Sequence, residues 1–574
     1  MKILKLTVKL LILISFVWIA FCIFTLPSLN GLGNKTRVPS ISILDNSNNI
    51  IGSLGDVYGG FVELGEIPQH LIDAVIVLED KRFFSHYGID LRGLIRASIR
   101  NIKEMRYAEG ASTITQQLSK VIFLNADKTL SRKFRELIIS FYLEYKYSKN
   151  EILLMYLNRV YLGSGLYGLK AASKRYFSKH PKDLSIAESS ILAGLLKSPS
   201  SLSPIRNMQS SIKRGKLVVN LLYDNRYIDL RKKNNALSEL KKIGKTKYHY
   251  SISSRYYMDW VFGSTPDEVL KYEKDLFIYT PFDYDLQNNL DNALKKRKKA
   301  LEPNIEIAVA IMDLKGEVKA LTGGKDWNIS KFNRATQSKR QVGSVFKTFV
   351  YLTALDMGYG LEDMVLDTPI LDQKWKPKNY ANKYLGKISF KKAYAISSNV
   401  AAVRITDDIG RKPIIDYAKR LGIISNIIDA PSIALGASSM SLLELVGAFG
   451  AICGNGKAVI PHGIKQIQLR DGSNVWERIT SDRKQIINNS TLNKIKLLMR
   501  EVVLNGTASK LKDLPFNVIG KTGTSQKNRD AWFIGCAKDL VVGVWVGRDD
   551  DKSMKNIFGS NLPLIIFKDI ILAI

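Results

Sequence analysis

Ser344 and Lys347 stand three positions apart in GSVFK, so on a helix the hydroxyl and the amine share one face. A serine hydroxyl is a weak nucleophile and needs an adjacent base. A lysine can serve when burial or a second cation keeps its amine neutral. A capping serine followed by a solvated lysine gives the same spacing, and Ser210/Lys213, Ser389/Lys392 and Ser509/Lys512 repeat it. Two later stretches add to the first pair. SSN at 397–399 offers the Ser397 hydroxyl and the Asn399 amide, and KTGT at 521–524 offers Lys521, Thr522 and Thr524 to a carboxylate from a strand edge. Gly523 would let a ligand come close to that strand. GKT is not a phosphate-binding loop here, because Pro515 occupies the position of the required glycine.

The first half carries a different set. LEDKRFFSHYGID, residues 78–90, holds two adjacent carboxylates and a histidine, with an exposed charged helix end as the plain alternative. In EGASTITQQLSK, residues 109–120, the run Ser112, Thr113, Thr115, Gln116 and Gln117 is too rich in hydroxyls and amides for a plain helix face. Such a run can present donors to a sugar or a phosphate. Lys120 closes it, and RKFRE adds Arg132, Lys133 and Glu136.

S-x-x-K, then S-x-N, then K-T-G is the order found in penicillin-binding proteins and serine β-lactamases. From about residue 276 to the end the chain resembles a penicillin-binding transpeptidase, with FNRAT, WKPKNY, ALGASSMSLLELVGAFGAICGNG and DAWFIG as further matching text. E-D-x-x-F-x-x-H-x-G followed by G-x-S-T-I-T-Q-Q looks like the glycosyltransferase domain of class A penicillin-binding proteins, over about residues 60–205. Nearly the whole chain is thus similar to a bifunctional peptidoglycan synthase of the 1A type. The resemblance implies that Ser344 attacks a D-Ala–D-Ala amide with Lys347 as base. Ser397 would relay a proton, Asn399 would hold the stem peptide, and Lys521, Thr522 and Thr524 would bind its carboxylate. The N–H groups of Ser344 and Thr524 would form the oxyanion hole. In the first half, Glu79 would be the base and Glu136 would act on the leaving-group side, directly or through a divalent cation (Mg or Mn). Lys120, Arg132 and Lys133 would lie near the pyrophosphate. No cofactor is expected for transpeptidation. Val342 and Thr348 stand where the family often has proline, and Val121 where it often has asparagine.

These residues need elements to position them. Apolar residues recur at helical spacing through about 67–200, whereas LFIYT, IAVAIMDLKGEVKALTGG and VVGVWVG after residue 276 read as strands between helices. DLKGEV reads as a tight turn at Gly316. The resemblance implies a mainly-α, lysozyme-like glycosyltransferase domain and an α/β transpeptidase domain with an antiparallel sheet flanked by helices. The expected division is a cytoplasmic tail at 1–9, a single transmembrane helix at 10–29, the glycosyltransferase at 45–205, a basic connecting region at 206–275 and the transpeptidase at 276–574.

A chain of 574 residues exceeds one hydrophobic core. Its net charge of +32 suits a polyanionic partner, although abundant Lys, Ile and Asn together also fit a coding bias. Lys2, Lys5 and Lys9 precede an unbroken apolar run from Leu10 to Leu26, which favours an uncleaved anchor with a cytoplasmic N-terminus. No A-x-A site follows, and Phe21 before Cys22 argues against a lipoprotein. The remainder would face the outer side of a bacterial plasma membrane, away from nucleic acid. Expected partners are lipid II, nascent peptidoglycan, the membrane, cell-wall synthesis proteins, and β-lactams as covalent inhibitors. Cys453 and Cys536 lie far apart without metal spacing. The rival readings are a β-lactamase-like acyl hydrolase and a non-catalytic scaffold.

Overall fold

The computed structural model describes residues 18–26, 40–54, 57–58, 62–104, 110, 112–123, 129–205, 207–243, 254–272, 274–371, 375–479 and 483–574. Most of the expected span at 10–29 lies outside these residues. Among the described residues no helix is long and apolar enough to cross a membrane. The chain forms two compact units. One comprises described residues of Met1–Ser42, Ser53–Tyr248 and Glu273–Asp275; the other those of Ile43–Gly52, His249–Tyr272 and Leu276–Ile574.

The first unit is helical. Its site-bearing helices are α1 (Gln69–Glu79), α2 (Leu91–Lys103), α3 (Ile114–Phe123), α4 (Leu130–Lys146) and α5 (Lys149–Arg159). Behind them lies α6 (Ile186–Leu195), buried from Ala187 to its end. Capping boxes start α5 through Ser148 and Glu151, and α6 through Ser185 and Glu188, so orphan N–H groups at the start of each helix are paired. The stretch expected to connect the units does not act as a linker throughout. Residues 208–224 and 230–243 form α7 (Met208–Asp224) and α8 (Leu230–Ile243), whose Val218, Val219, Leu222 and Leu240 are fully buried in this unit's core. Gly215, Val218, Val219 and Leu222 repeat at i, i+3, i+4 and i+7, a helical face that the surrounding lysines obscure in the sequence. Residues 254–272, from the same stretch, belong to the second unit.

The second unit is built on a five-stranded antiparallel sheet. Its strands are β4 (Ile305–Asp313), β5 (Val318–Thr322), β8 (Ile519–Thr524), β9 (Asp530–Ala537) and β10 (Leu540–Arg548), in the order β8-β9-β10-β4-β5. Gly316, at φ 95°, makes the expected turn between β4 and β5. Helices cover both faces. Phe533 packs against Phe567 of α14 (Leu562–Ala573), while on the other face a side chain at Gly543 would strike Leu442 and Val446 of α12 (Leu442–Cys453). That double burial explains why VVGVWVG reads as one apolar run instead of alternating. LFIYT forms β3 (Leu276–Tyr279) in a separate sheet with β1 (Ile41–Leu44), β2 (Ile50–Leu54), β6 (Gln466–Leu469) and β7 (Asn474–Glu477). Residues 45–52, expected within the glycosyltransferase, thus count with the second unit. Cys453, ending α12, and Cys536 of β9 are joined in a disulfide across 83 residues, a pairing their spacing gave no reason to expect.

Candidate functional sites

In the second unit the serine–lysine pair sits where a short 3-10 turn, Gly343–Phe346, runs into α10 (Lys347–Asp356). Ser344 is partly exposed and Lys347 is 0% exposed, which removes the reading of a solvated lysine. In the three competing pairs Lys213, Lys392 and Lys512 are exposed, and Ser389 is simply the cap of its own helix. The Lys347 Nζ donates to Ser397 O at 2.6 Å and to Asn399 Oδ1 at 2.6 Å, and lies 3.3 Å from Ser397 Oγ. Lys521, also 0% exposed, donates to the same Ser397 Oγ at 2.9 Å. The Ser397 hydroxyl thus bridges two buried amines. Burial, and then the charge of Lys521, hold the Lys347 amine well below the ordinary lysine range. Burial alone brings Lys521 down to about 7. Ser397 has φ 61°, a left-handed backbone that costs a non-glycine residue on the order of 1–3 kcal/mol.

The KTGT stretch forms β8, an edge strand whose one sheet neighbour is β9. Thr522 Oγ1 pairs with Thr507 Oγ1 at 2.6 Å, and Thr524 Oγ1 accepts from Gly559 N at 3.1 Å. Gly523 is required for a reason other than ligand approach. A Cβ there would lie 2.6 Å from Val345 Cγ2 and 2.8 Å from Val342 O, so its absence lets the strand pack on the serine turn. The two departures from family proline each make a bond. Val342 N–H donates to Ser438 O at 3.3 Å, and Thr348 Oγ1 pairs with Tyr394 OH at 3.0 Å.

Residues without a motif hold this site. Asp367, 0% exposed at the end of the strand Met364–Asp367, accepts from Ser398 Oγ at 2.6 Å, Asn379 Nδ2 at 2.5 Å and Leu385 N at 2.9 Å. Ser398 caps α11 (Asn399–Ile409), and Asn379 Oδ1 accepts from the N–H groups of Asn399 and Val400. The position of Ser397 and Asn399 therefore rests on one buried carboxylate. Asn379 was visible within WKPKNY; Asp367 carries no local signal. Ser344, Ser397, Asn399, Thr522, Gly523 and Thr524 all line one cleft of about 920 Å³.

In the first unit Glu79 is the last residue of α1 and is half-buried. Gln117 Nε2 donates to Glu79 Oε2 at 2.8 Å, and Tyr156 OH donates to Gln117 Oε1 at 2.9 Å. Burial pushes the Glu79 carboxyl above its ordinary range, opposed by the Gln117 hydrogen bond and the charge of Arg214 on α7. Glu136, 3% exposed on α4, is paired with Arg132 at 2.7 Å and with Lys133 at 2.5 Å, and Lys133 also donates to Ser112 Oγ at 2.9 Å. The segment 112–117 therefore touches both acids, Glu79 through Gln117 and the Glu136 cluster through Ser112. Lys120 is exposed at the end of α3.

Three expected donors to substrate turn inward. Thr113 Oγ1 donates to Gly88 O at 2.7 Å and Thr115 Oγ1 to Glu144 at 2.5 Å, while Gln116 Oε1 accepts from Thr113 N–H at 3.1 Å. All three are buried, so the hydroxyl-rich run exists largely to satisfy the start of a buried helix. Asp80 does the same, accepting from Ile114 N at 3.0 Å and facing His86 Nε2 at 3.0 Å. Tyr156 and Arg214 were missed by the sequence reading, because neither lies in a motif with a spacing to test. A resident divalent cation does not fit these side chains. Both Glu136 oxygens are committed to cations, and among the described residues no three His, Cys, Asp or Glu side chains cluster for a metal.

Comparison with known proteins agrees with both domains. The transglycosylase family profile matches residues 47–223, and the profile of the penicillin-binding protein transpeptidase domain matches residues 307–571. The chain is 30% identical to penicillin-binding protein 1A of Rickettsia typhi, covering 89% of this chain and 82% of that protein. It is 29% identical to penicillin-binding protein 1A of Aquifex aeolicus, over 98% of this chain and 91% of the other. Among solved structures, penicillin-binding protein 1A from Haemophilus influenzae has a similar fold, with a TM-score of 0.56 at 20% identity over 93% of this chain and 92% of that one.

Proposed function

This chain belongs to the class A penicillin-binding proteins of the 1A type, bifunctional peptidoglycan glycosyltransferases and transpeptidases, and from that premise we propose how its own residues divide the work. The substrate that is polymerised is lipid II. Glu79 takes the proton from the 4-hydroxyl of the acceptor sugar as that oxygen displaces lipid pyrophosphate with inversion. Its raised pKa suits a base that works near neutral pH, and Gln117 fixes the carboxylate's orientation. Arg132, Lys133 and Lys120 stabilise the charge gathering on the pyrophosphate, with Glu136 holding the first two in place. No step is assigned to a divalent ion.

In the other unit Ser344 attacks the D-Ala–D-Ala amide and Lys347 accepts its proton. A neutral Lys347 has two hydrogens, and two short contacts, to Ser397 O and Asn399 Oδ1, take them. The lone pair is left for a hydroxyl proton. Ser397, shared by the two amines, passes a proton to the departing D-Ala. Lys521, Thr522 and Thr524 hold the substrate carboxylate, whose charge favours protonated Lys521. Among its described residues the cleft is lined by no Asp or Glu, so no carboxylate stands ready to activate water on the acyl-enzyme. That observation favours transfer to an amine over hydrolysis, and sustained covalent inhibition by β-lactams.

Outside the sites, α2 exposes Leu91, Leu94, Ile95, Ile99 and Ile102, a non-polar stripe on an arginine-bearing helix. Together with the apolar run at 10–26 it supports a single-pass protein of the bacterial plasma membrane with both units on the outer side and α2 at the lipid surface. The test is separation of activities on lipid II. Glu79→Gln should lower polymerisation by on the order of 10²–10⁴ and leave penicillin acylation intact. Ser344→Ala should make uncross-linked glycan. Polymer from Glu79→Gln at the normal rate, or cross-linked muropeptides from Ser344→Ala, would refute the assignments.

A further inference from the structure

Lys347 and Lys521 are both sealed from solvent and both touch Ser397 Oγ, yet the chemistry needs one of them neutral and the other charged. Their hydrogen bonds do not separate them. Lys347 has Ser397 O and Asn399 Oδ1 as acceptors, and Lys521 has Ser397 Oγ and, at 3.2 Å, Thr522 O. Asp367 works the wrong way, since its charge favours a proton on Lys347. An aromatic ring breaks the symmetry. Tyr394 is buried on the helix Phe390–Ala395, and the Lys521 Nζ stands over its ring, 5.6 Å from the centroid. A ring face attracts an ammonium ion within about 6 Å, most strongly where water is excluded.

The ring is held from two sides. Tyr394 OH pairs at 3.0 Å with Oγ1 of Thr348, the residue after Lys347, and Tyr351 packs against it with centroids 4.9 Å apart. Thr348 stands where the family often has proline, so this anchor is not general to the family. Burial pushes the phenol far above its ordinary pKa, and the ring stays uncharged across the working pH range. The charged groups on neighbouring elements have partners of their own. On α13 (Asn489–Leu504), packed on β8, Arg500 donates to Val518 O, Lys496 donates to Gly454 O and Glu501 accepts from Asn505. Asp530 of β9 accepts from Trp545 Nε1. On the helix of Tyr394 itself, Lys391 pairs with Glu362 and Lys392 is exposed. Resting on the transpeptidase reading above, we propose that Tyr394 is a positioning residue whose ring keeps the proton of the lysine pair on Lys521, leaving Lys347 neutral to act on Ser344.

The ring favours charged Lys521 and is indifferent to the neutral amine. Removing it should therefore move the alkaline limb of Ser344 acylation, where Lys521 loses its proton, to lower pH. The acid limb should stay, because Lys521 is charged on both sides of it while Lys347 gains a proton. For a desolvated pair the expected shift is on the order of one pH unit. The experiment measures the second-order rate of penicillin acylation across pH for the full chain. It compares wild type, two ringless variants, Tyr394→Leu and Tyr394→Met, and Tyr394→Phe, each shown folded by its unfolding midpoint. One unit above the wild-type alkaline midpoint, a ringless variant should be about tenfold slower than wild type, each rate taken relative to its own maximum. Tyr394→Phe keeps the ring and should keep both limbs. A purely structural role gives another signature, because a loosened pocket that admits water raises both lysine pKa values and moves both limbs upward. An alkaline limb that stays or rises in the ringless variants, or that falls equally in Tyr394→Phe, would overturn the proposal while Ser344 remains acylated. If wild type is acylated at no pH, the transpeptidase reading itself falls.

Discussion

On the proposed mechanism the two sites solve the same problem, keeping a base unprotonated at the right place, with opposite materials. In the first unit the base is an acid at a helix end, half-buried, its pKa raised by burial and restrained by one amide. In the second it is a lysine with no exposure, its pKa pushed far down by burial and by a second lysine. The difference follows from where the nucleophile comes from. In the proposed glycosyl transfer a sugar hydroxyl arrives with substrate, so Glu79 must stay reachable and the cations assigned to the leaving group lie on helix surfaces. Ser344 belongs to the chain, so its base can be sealed in, and the cost of a buried amine is met by Ser397 and Asn399 around it.

The comparison can be broken first at the support of the second site. Asp367→Asn replaces an acceptor of three hydrogen bonds with a group that carries two donors. Ser397 and Asn399 should shift, and a misplacement of about 1 Å costs up to about 10² in rate. Penicillin acylation of Ser344 should fall by on the order of 10–10², with polymerisation unchanged. A variant that keeps a wild-type unfolding midpoint and a wild-type acylation rate would remove Asp367 from the account.

The pH profiles sharpen the contrast. Glu79 must be ionised to act, and its pKa is raised, so polymerisation should fall as pH drops through a value above the ordinary glutamate range, tenfold per unit below it. Acylation should be bell-shaped. It falls at low pH as Lys347 gains a proton and falls again above about 7 as Lys521 loses one. The falling limb should move upward in kcat, because the bound carboxylate favours charged Lys521. Identical profiles for the two activities would contradict the distinction.

The smallest effect is on stability, and it is confined to one unit. The Cys453–Cys536 bridge closes a loop of 83 residues, and losing such a bridge costs roughly 2–4 kcal/mol. Reduction should lower the unfolding midpoint of the transpeptidase unit by several degrees. The glycosyltransferase unit, which holds neither cysteine, should not respond.

How much of this was legible in the sequence differs between the units for physical reasons. Ser344, Lys347, Ser397, Asn399 and Lys521 sit in short motifs, and the fold gathers them as those motifs suggest. Asp367 and the disulfide were not legible, since each depends on partners dozens of residues away that only folding brings near. In the first unit the inward pairing of Thr113, Thr115 and Gln116 was not legible, because a buried helix start needs the same hydroxyls and amides that a sugar would attract. The helices at 208–243 were hidden by their lysines. An amphipathic helix needs one good face, and there the exposed faces dominate the composition.

The most direct measurement is a time course of intact mass for the full chain, wild type and Glu79→Gln, after exposure to a penicillin, with peptide mapping of the adduct. The account predicts one adduct per chain, located on Ser344, persistent and equally fast to form in both proteins. Rapid loss of the adduct with drug turnover, an adduct elsewhere, or slower labelling in Glu79→Gln would contradict two separate sites with an acyl-enzyme that lacks a carboxylate to activate water.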